Sequence, residues 1–129
     1  SIDNPAIWRP ILSVQDAATA YIRSIEANAD ISGIFNVASG NYTIGEIGDL
    51  VKFVIKDELQ IDVHLNIKHV HDLRNYKVSS ARAEEILSFK PQYDVKAIVR
   101  DLVQHRDLFS DFDNPNYYQL QVFKALKNR

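Results

Sequence analysis

Two stretches of this sequence combine an N-cap residue with apolar side chains at helical spacing, and they constrain the fold most. Ser13 precedes the first stretch, and Asp16 falls in its first turn, where a carboxylate interacts favourably with the helix dipole. Thr43 and Glu46 form a capping box at the start of the second. The pattern predicts one helix beginning near residue 14 and another ending near residue 56. Their apolar stripes contain Val14, Ala17, Ala18, Tyr21, Ile22 and Ile25, then Ile44, Ile47, Leu50, Val51, Val54 and Ile55.

Shorter apolar segments predict strands between the helices. Gly33–Ala38 is a brief apolar run between polar residues, which is typical of a mostly buried strand. Residues 62–68 alternate strictly, with Val63, Leu65 and Ile67 on one face, and predict a strand with one solvated side. Gly40–Thr43 is expected to be a capped turn.

The second half of the chain predicts two further helices. Ser79 or Ser80 caps a short helix to Leu87, and Pro91 follows where that helix must already have ended. An apolar stripe from residue 95 to residue 103 defines the next helix, whereas the tail from residue 109 to 129 has no decisive period. We therefore predict a single domain, residues 1–129, of the mixed α/β (α+β) class, with about four helices and short strands.

Composition excludes several functional classes. The formal net charge of −2 and the scattered lysines do not favour nucleic-acid binding, and no apolar stretch is long enough to predict a membrane span or secretory signal. The chain has no cysteine, which favours a cytoplasmic location. It also has no methionine, even at position 1, so we expect it to derive from a longer polypeptide.

Cofactor and metal motifs are weak in this sequence. Gly40, Gly45 and Gly48 do not match the G-x-G-x-x-G spacing, although a backbone phosphate contact at Gly40–Thr43 is an alternative to the turn. No tyrosine has a lysine four places on. His64, His69 and His71 lie close in sequence, as metal ligands would, but solvated histidines are the simpler explanation. We assign no catalytic, cofactor-binding or metal-binding residue.

Arg9 and Arg74 are the candidate binding residues. Each lies on a stretch without helical or strand periodicity, and a guanidinium group presents a planar fork of donors that matches phosphate oxygens. From the residues alone, structural salt bridges remain the alternative for both.

Four motifs in order resemble the extended short-chain dehydrogenase/reductases, the NAD-dependent epimerase/dehydratase family. The similarity covers about residues 8–108. Its motifs are Trp8-Arg9-Pro10 through Val14-Gln15-Asp16, Phe35-Asn36-Val37-Ala38-Ser39-Gly40, the Asp72, Arg74, Tyr76, Val78 and Ser79 pattern, and Leu87-Ser88-Phe89-Lys90-Pro91.

The resemblance implies a C-terminal substrate-binding lobe that lacks the Rossmann domain. Arg9 and Arg74 would then bind the diphosphate of a nucleotide-diphosphate sugar. NAD or NADP would belong to the full-length parent, with no cofactor in this chain. The isolated chain is expected to be inactive, and the missing Rossmann domain is its expected partner. The resemblance leaves the sugar, and epimerase versus dehydratase or reductase, undecided.

The sequence departs from the family pattern at three expected glycines, which are replaced by Ala38, Ser88 and Ala97. A left-handed cap at Ser88 would cost about 1 kcal/mol. The alternative function is a stand-alone protein-interaction module derived from this lobe, which could also self-associate. Its contact surface would contain Trp8, Tyr117, Tyr118 and Phe123.

Overall fold

The computed structural model describes residues 1–71, 74–111 and 113–127. Five α-helices and four short strands occur within these residues. The strands are β1 (Ile2–Asp3), β2 (Trp8–Ile11), β3 (Gly40–Thr43) and β4 (Ile67–Lys68). The helices are α1 (Val14–Glu26), α2 (Ile44–Leu59), α3 (Ala81–Leu87), α4 (Val95–Gln104) and α5 (Gln119–Lys127), with 3₁₀ turns at Arg106–Phe109 and Pro115–Tyr117. The mixed α/β class is confirmed.

The first two helices begin where their caps predict. The side chain of Ser13 accepts a hydrogen bond from the backbone N–H of Asp16 at 2.9 Å. Thr43 and Glu46 form the reciprocal capping box of α2. That helix continues three residues past the predicted end, to Leu59, and its C-cap residue Gln60 has a left-handed φ of 57°.

A two-stranded antiparallel ribbon was not predicted. Trp8 pairs with Thr43 and Ile11 pairs with Gly40, so the expected turn at Gly40–Thr43 is wrong: the segment is β3, and Thr43 also caps α2. Four-residue strands carry too little alternation to be recognised from sequence. The ribbon connects the start of α1 to the start of α2.

The prediction of a strand at Gly33–Ala38 is also wrong. No strand pairs with this segment among residues 1–71, 74–111 and 113–127, so it is not part of a sheet there. Side chains at and just before the start of α3 form hydrogen bonds with some of its backbone groups. Ser80 Oγ accepts from the N–H of Ala38 at 2.9 Å, and Arg82 donates to the C=O groups of Ile34 and Ser32 at 3.3 Å each.

The strand predicted at 62–68 is mostly wrong in extent. Only Ile67–Lys68 pairs, in parallel with Ile2–Asp3, because β1 offers just two residues. The predicted alternation holds at Val63 and Leu65, which are half-buried between exposed neighbours, but Ile67 is exposed. The side-chain pattern therefore forms without the ladder it normally accompanies.

The later helices follow the predicted boundaries. Ser80 precedes α3 but makes no side-chain cap to it, whereas the Asp94 side chain caps α4 by accepting from the N–H of Ala97 at 2.8 Å. Ser88 ends α3 with a φ of 52°, so this non-glycine residue does adopt the left-handed cap whose cost the sequence analysis considered. The tail, whose structure the sequence left open, contains α5.

Two apolar clusters hold the elements together. Ala20 of α1, Ala83 of α3 and Phe89 form one, with Phe35 and Val37 packed against it. The other lies between α2 and α4. Its members are Val54, Val95 and Val99, with Ile11, Tyr42, Ile47, Leu50, Val51 and Val103 against them. Over the residues that the structure describes, no helix combines the length and apolarity needed to cross a membrane.

Candidate functional site

A segment after β4 crosses the start of β2 and builds the candidate site. The Asn4 side chain bonds both backbone groups of Val70, donating to its C=O at 2.7 Å and accepting from its N–H at 3.0 Å. Asn75 Oδ1 accepts from the backbone N–H of Trp8 at 2.9 Å. Lys77 Nζ lies 3.4 Å from the centre of the Trp8 ring. These contacts hold the segment containing Arg74 against the strand containing Arg9.

Arg9 and Arg74 are therefore neighbours in space, 65 residues apart in sequence. Arg9 Nη1 donates to the backbone C=O of Arg74. It also donates to the backbone C=O of Trp8, the residue before Arg9, at 2.9 Å. The Arg9 guanidinium carbon also lies 5.9 Å from the centre of the Tyr76 ring, within cation–π range. The position of Arg9 is thus fixed from three directions.

Both arginines line one open cavity of about 820 Å³. A ligand the size of a nucleotide or larger would fit this volume. Among the described lining residues, which mix polar and apolar side chains, the two guanidinium groups outnumber the one carboxylate, that of Asp3. The other lining residues are Ser1, Ile2, Asp3, Asn4, Ile7, Ile44, Val70 and His71. Asp72, the first residue of the third motif, lies outside the described residues.

The N-terminus of α2 borders this cavity but has its amides occupied. Ile44 N–H donates to the C=O of Ile7 at 2.9 Å, and Gly45 N–H donates to the C=O of Pro5 at 2.8 Å. Hydrogen bonds from the Thr43 backbone and side chain lower the pKa of Glu46 below its ordinary value. The capped structure accounts for this terminus, and the phosphate contact considered at Gly40–Thr43 gains no support.

A second polar cluster surrounds Asp16, which is only 1% exposed. Its carboxylate accepts from Ser39 Oγ at 2.6 Å and from the backbone N–H groups of Gln92 at 2.9 Å and Tyr93 at 3.2 Å. Burial alone would raise the pKa of Asp16, but these hydrogen bonds, together with that to Ser13, lower it below the ordinary value. Sequence analysis gave Asp16 only a helix-dipole role, whereas the structure shows that it also links α1 to two loops.

The histidines do not form a metal centre in the part of the chain that the structure describes, where no group of three or more His, Asp or Glu residues could hold an ion. His71 instead lines the arginine cavity. Sequence reasoning missed this and the positioning residues Asn4, Asn75 and Tyr76. Only the proximity of Asn75 and Tyr76 to Arg74 within one motif could have indicated them.

The aromatic surface proposed for an interaction module is not one uniform patch. Tyr117, Tyr118 and Phe123 are exposed, but Trp8 is half-buried beneath Lys77. Tyr117 also donates from its hydroxyl to the C=O of Leu108 at 3.3 Å.

No family model and no curated protein matches this sequence. Solved structures do match. RMD from Pseudomonas aeruginosa, solved with NADPH, has a TM-score of 0.63 and 22% identity, over 77% of this chain and 32% of its own. L-Threonine dehydrogenase from Clostridium difficile has a TM-score of 0.63 and 22% identity, over 81% of this chain and 34% of its own.

Helicobacter pylori ADP-L-glycero-D-manno-heptose-6-epimerase has a TM-score of 0.63 and 20% identity, over 78% of this chain and 30% of its own. The chain has the fold of one part of each of these solved proteins. It spans about a third of the length of these solved proteins. The fold implied by the four sequence motifs is thereby confirmed, and at these identities the likeness concerns the fold.

Proposed function

We propose that this chain is the nucleotide-sugar-binding part of an NAD(P)-dependent sugar epimerase or dehydratase, and that Arg9 and Arg74 bind the substrate diphosphate. The observation that carries the proposal is the convergence of both arginines on one cavity of about 820 Å³. Guanidinium groups match phosphate oxygens in charge and geometry, so two of them beside one cavity fit an anion of several charges.

The work of this part would be positioning. Arg9 is anchored through Nη1 and Tyr76, and the Arg74 segment is fastened by the Asn75 and Asn4 contacts, so little side-chain freedom would be lost on binding. Holding the diphosphate here would orient the sugar toward a cofactor bound by the remaining two thirds of such an enzyme. The isolated chain would bind substrate without turning it over.

A small amino-acid substrate is the specific rival, because one of the similar structures is an L-threonine dehydrogenase. The cavity volume and the pair of arginines favour the larger, more highly charged ligand. One carboxylate needs a single guanidinium fork, and a molecule the size of threonine would leave most of about 820 Å³ unfilled.

Titration of the chain by calorimetry or NMR tests the proposal with four probes: UDP-glucose, ADP-glucose, inorganic pyrophosphate and L-threonine. We expect both nucleotide sugars and pyrophosphate to bind, with shifts at the amides of residues 9, 71 and 74, and threonine to have no effect. Binding of threonine in preference to the three anions would contradict the assignment. Failure of all four probes to bind would contradict it as well.

A further inference from the structure

Helices α2 and α4 leave an apolar groove between their C-terminal halves. Lys96 of α4 lies over the Phe53 ring of α2. One turn further along both helices, Arg100 pairs with Asp57 and Glu58, so the two helices run in the same direction. The groove has a volume of about 370 Å³ and opens to solvent. Among the described residues, its lining consists of Val51, Ile55, Leu59, Val99, Leu102, Val103 and Arg106.

An open groove with this lining is suited to apolar side chains rather than to a polar ligand. Arg106 supplies the only charge among the described lining residues, and the others are aliphatic. Leu102, one of these aliphatic residues, is 52% exposed. An apolar cavity of about 150 Å³ accommodates a benzene ring, so this groove has room for an aromatic and an aliphatic side chain together. Exposed apolar surface of this kind marks a site of interaction.

Helix α5 carries an apolar face that the described chain leaves uncovered. Leu120 is 76% exposed, Phe123 is 66% exposed and Leu126 is 58% exposed. These residues are spaced three apart, so they lie on one side of the helix. Amphipathic helices normally bury such a face.

The α5 face and the groove match in length and in chemistry. Helix α5 has nine residues, and the stretch of α2 along the groove, Val51–Leu59, has the same length. At 1.5 Å per residue each extends about 13 Å, so α5 can lie along the groove as a third helix. Phe123 is midway along the face, between two leucines. The groove can therefore receive the Phe123 ring together with a leucine side chain.

Local contacts hold α5 away from the groove of its own chain. The Tyr117 hydroxyl donates to the C=O of Leu108 at 3.3 Å and joins the two 3₁₀ turns that follow α4. The N–H groups of Gln121 and Val122 both donate to the C=O of Tyr118, so α5 continues directly from the second turn. No α5 residue lines the groove in the part of the chain that the structure describes. A second copy of the chain can supply the helix instead.

We propose that two copies of this chain exchange their C-terminal helices, each placing Leu120, Phe123 and Leu126 of α5 in the α2–α4 groove of the other. Each chain carries one groove and one such helix, so a twofold-symmetric pair fills both grooves and covers both helix faces. The apolar area removed from water drives the association. The inference does not depend on the proposed function, because the groove and the arginine cavity share no described lining residue.

Sedimentation equilibrium of the chain and of three variants tests the exchange. We expect the wild-type chain to form dimers. Phe123→Asp and Leu102→Asp should each weaken the dimer at least about 30-fold in Kd, as loss of a central apolar anchor does. Val14→Asp is the matched control, because Val14 is 82% exposed on α1 and belongs to neither surface. A wild-type chain that stays monomeric overturns the proposal. A dimer that is as stable in Phe123→Asp and Leu102→Asp as in Val14→Asp overturns it as well.

Introduced cysteines distinguish exchange between chains from docking within one chain. The chain has no cysteine, so Leu102→Cys and Phe123→Cys each introduce a single thiol. Oxidised glutathione should link a mixture of these two variants into a disulfide-bonded dimer, and should link Leu102→Cys with Val14→Cys at least about tenfold less. Equal linkage in the two mixtures overturns the proposal. In the double variant we expect a disulfide between two chains, whereas a monomer with an internal disulfide overturns the exchange, because α5 then occupies its own groove.

Discussion

Two charged sites, one at Asp16 and one at Arg9, lie close together in sequence. They differ in burial and in what surrounds the charge. Asp16 is buried and surrounded by donors from Ser13, Ser39, Gln92 and Tyr93. Seven residues earlier, Arg9 borders an open cavity together with Arg74. A charge enclosed by its own chain stabilises the fold, whereas charges gathered around open space have room for a ligand. Enclosure, rather than charge or sequence position, separates the structural site from the candidate binding site.

Asp16→Asn should produce the largest effect, since an amide has one acceptor oxygen where the carboxylate has two. The Asn NH₂ would oppose a donor among Ser39, Gln92 and Tyr93, and the loss should be about 3 kcal/mol of unfolding free energy, the upper range for bonds to a charged group. Urea unfolding measures it. Asp94→Asn is the control, because asparagine serves equally well at that exposed N-cap. Similar losses in both variants would show that Asp16 is no more than an acidic residue in the first turn of α1.

Lowering the pH should reveal how much the Asp16 carboxylate contributes to the unfolding free energy of the wild-type chain. The pKa of Asp16 is lower in the folded chain than its ordinary value, so its carboxylate stabilises the fold above the unfolded pKa. That contribution is lost as pH falls through the folded pKa. The difference in unfolding free energy between wild type and Asp16→Asn should therefore be constant near neutral pH and shrink below about pH 4. A difference that does not change down to pH 2 would contradict the lowered pKa.

Arg74→Ala should have a smaller effect, and on binding rather than stability. Loss of one charge-assisted interaction with phosphate should weaken nucleotide-sugar binding by about 2 kcal/mol, or about 30-fold in Kd. Arg100→Ala is the matched control, because Arg100 pairs with Asp57 and Glu58 at the surface of α2 and α4. Calorimetric titration of both variants with UDP-glucose makes the comparison. Unchanged affinity in Arg74→Ala would leave Arg74 a structural arginine and remove the distinction between the two sites.

The smallest change in unfolding free energy is expected at Ser88 and Ala97, two positions where the family pattern has glycine. Both lie away from the Asp16 site and the arginine cavity. Ser88→Gly should raise the unfolding free energy by up to about 1 kcal/mol, because Ser88 has a φ of 52° that glycine adopts without strain. Ala97→Gly should lower it by up to about 1 kcal/mol, because Ala97 lies in the first turn of α4. Thermal unfolding measures both. The same sign in both variants would show that backbone conformation does not control these two positions.

Local interactions explain which elements were predictable. The caps at Ser13 and Thr43 satisfy amides three residues away, and the apolar stripes repeat within one helix, so both are visible in a short window of sequence. The strands were predicted poorly because they depend on distant residues. Ile2–Asp3 pairs with residues 65 positions away, and Gly33–Ala38 has the composition of a strand without any partner in the described chain. A strand exists only where a second backbone pairs with it.

The amino-acid sequence by itself determined the first four helices and the two arginines as candidates, because each depends on neighbouring residues or on side-chain chemistry. The tertiary structure alone decided that Arg9 and Arg74 line one cavity and that Asp16 is enclosed. The physical reason is distance along the chain. These features depend on contacts between segments tens of residues apart, such as Asn4 with Val70 and Asp16 with Gln92, and no local pattern specifies such contacts.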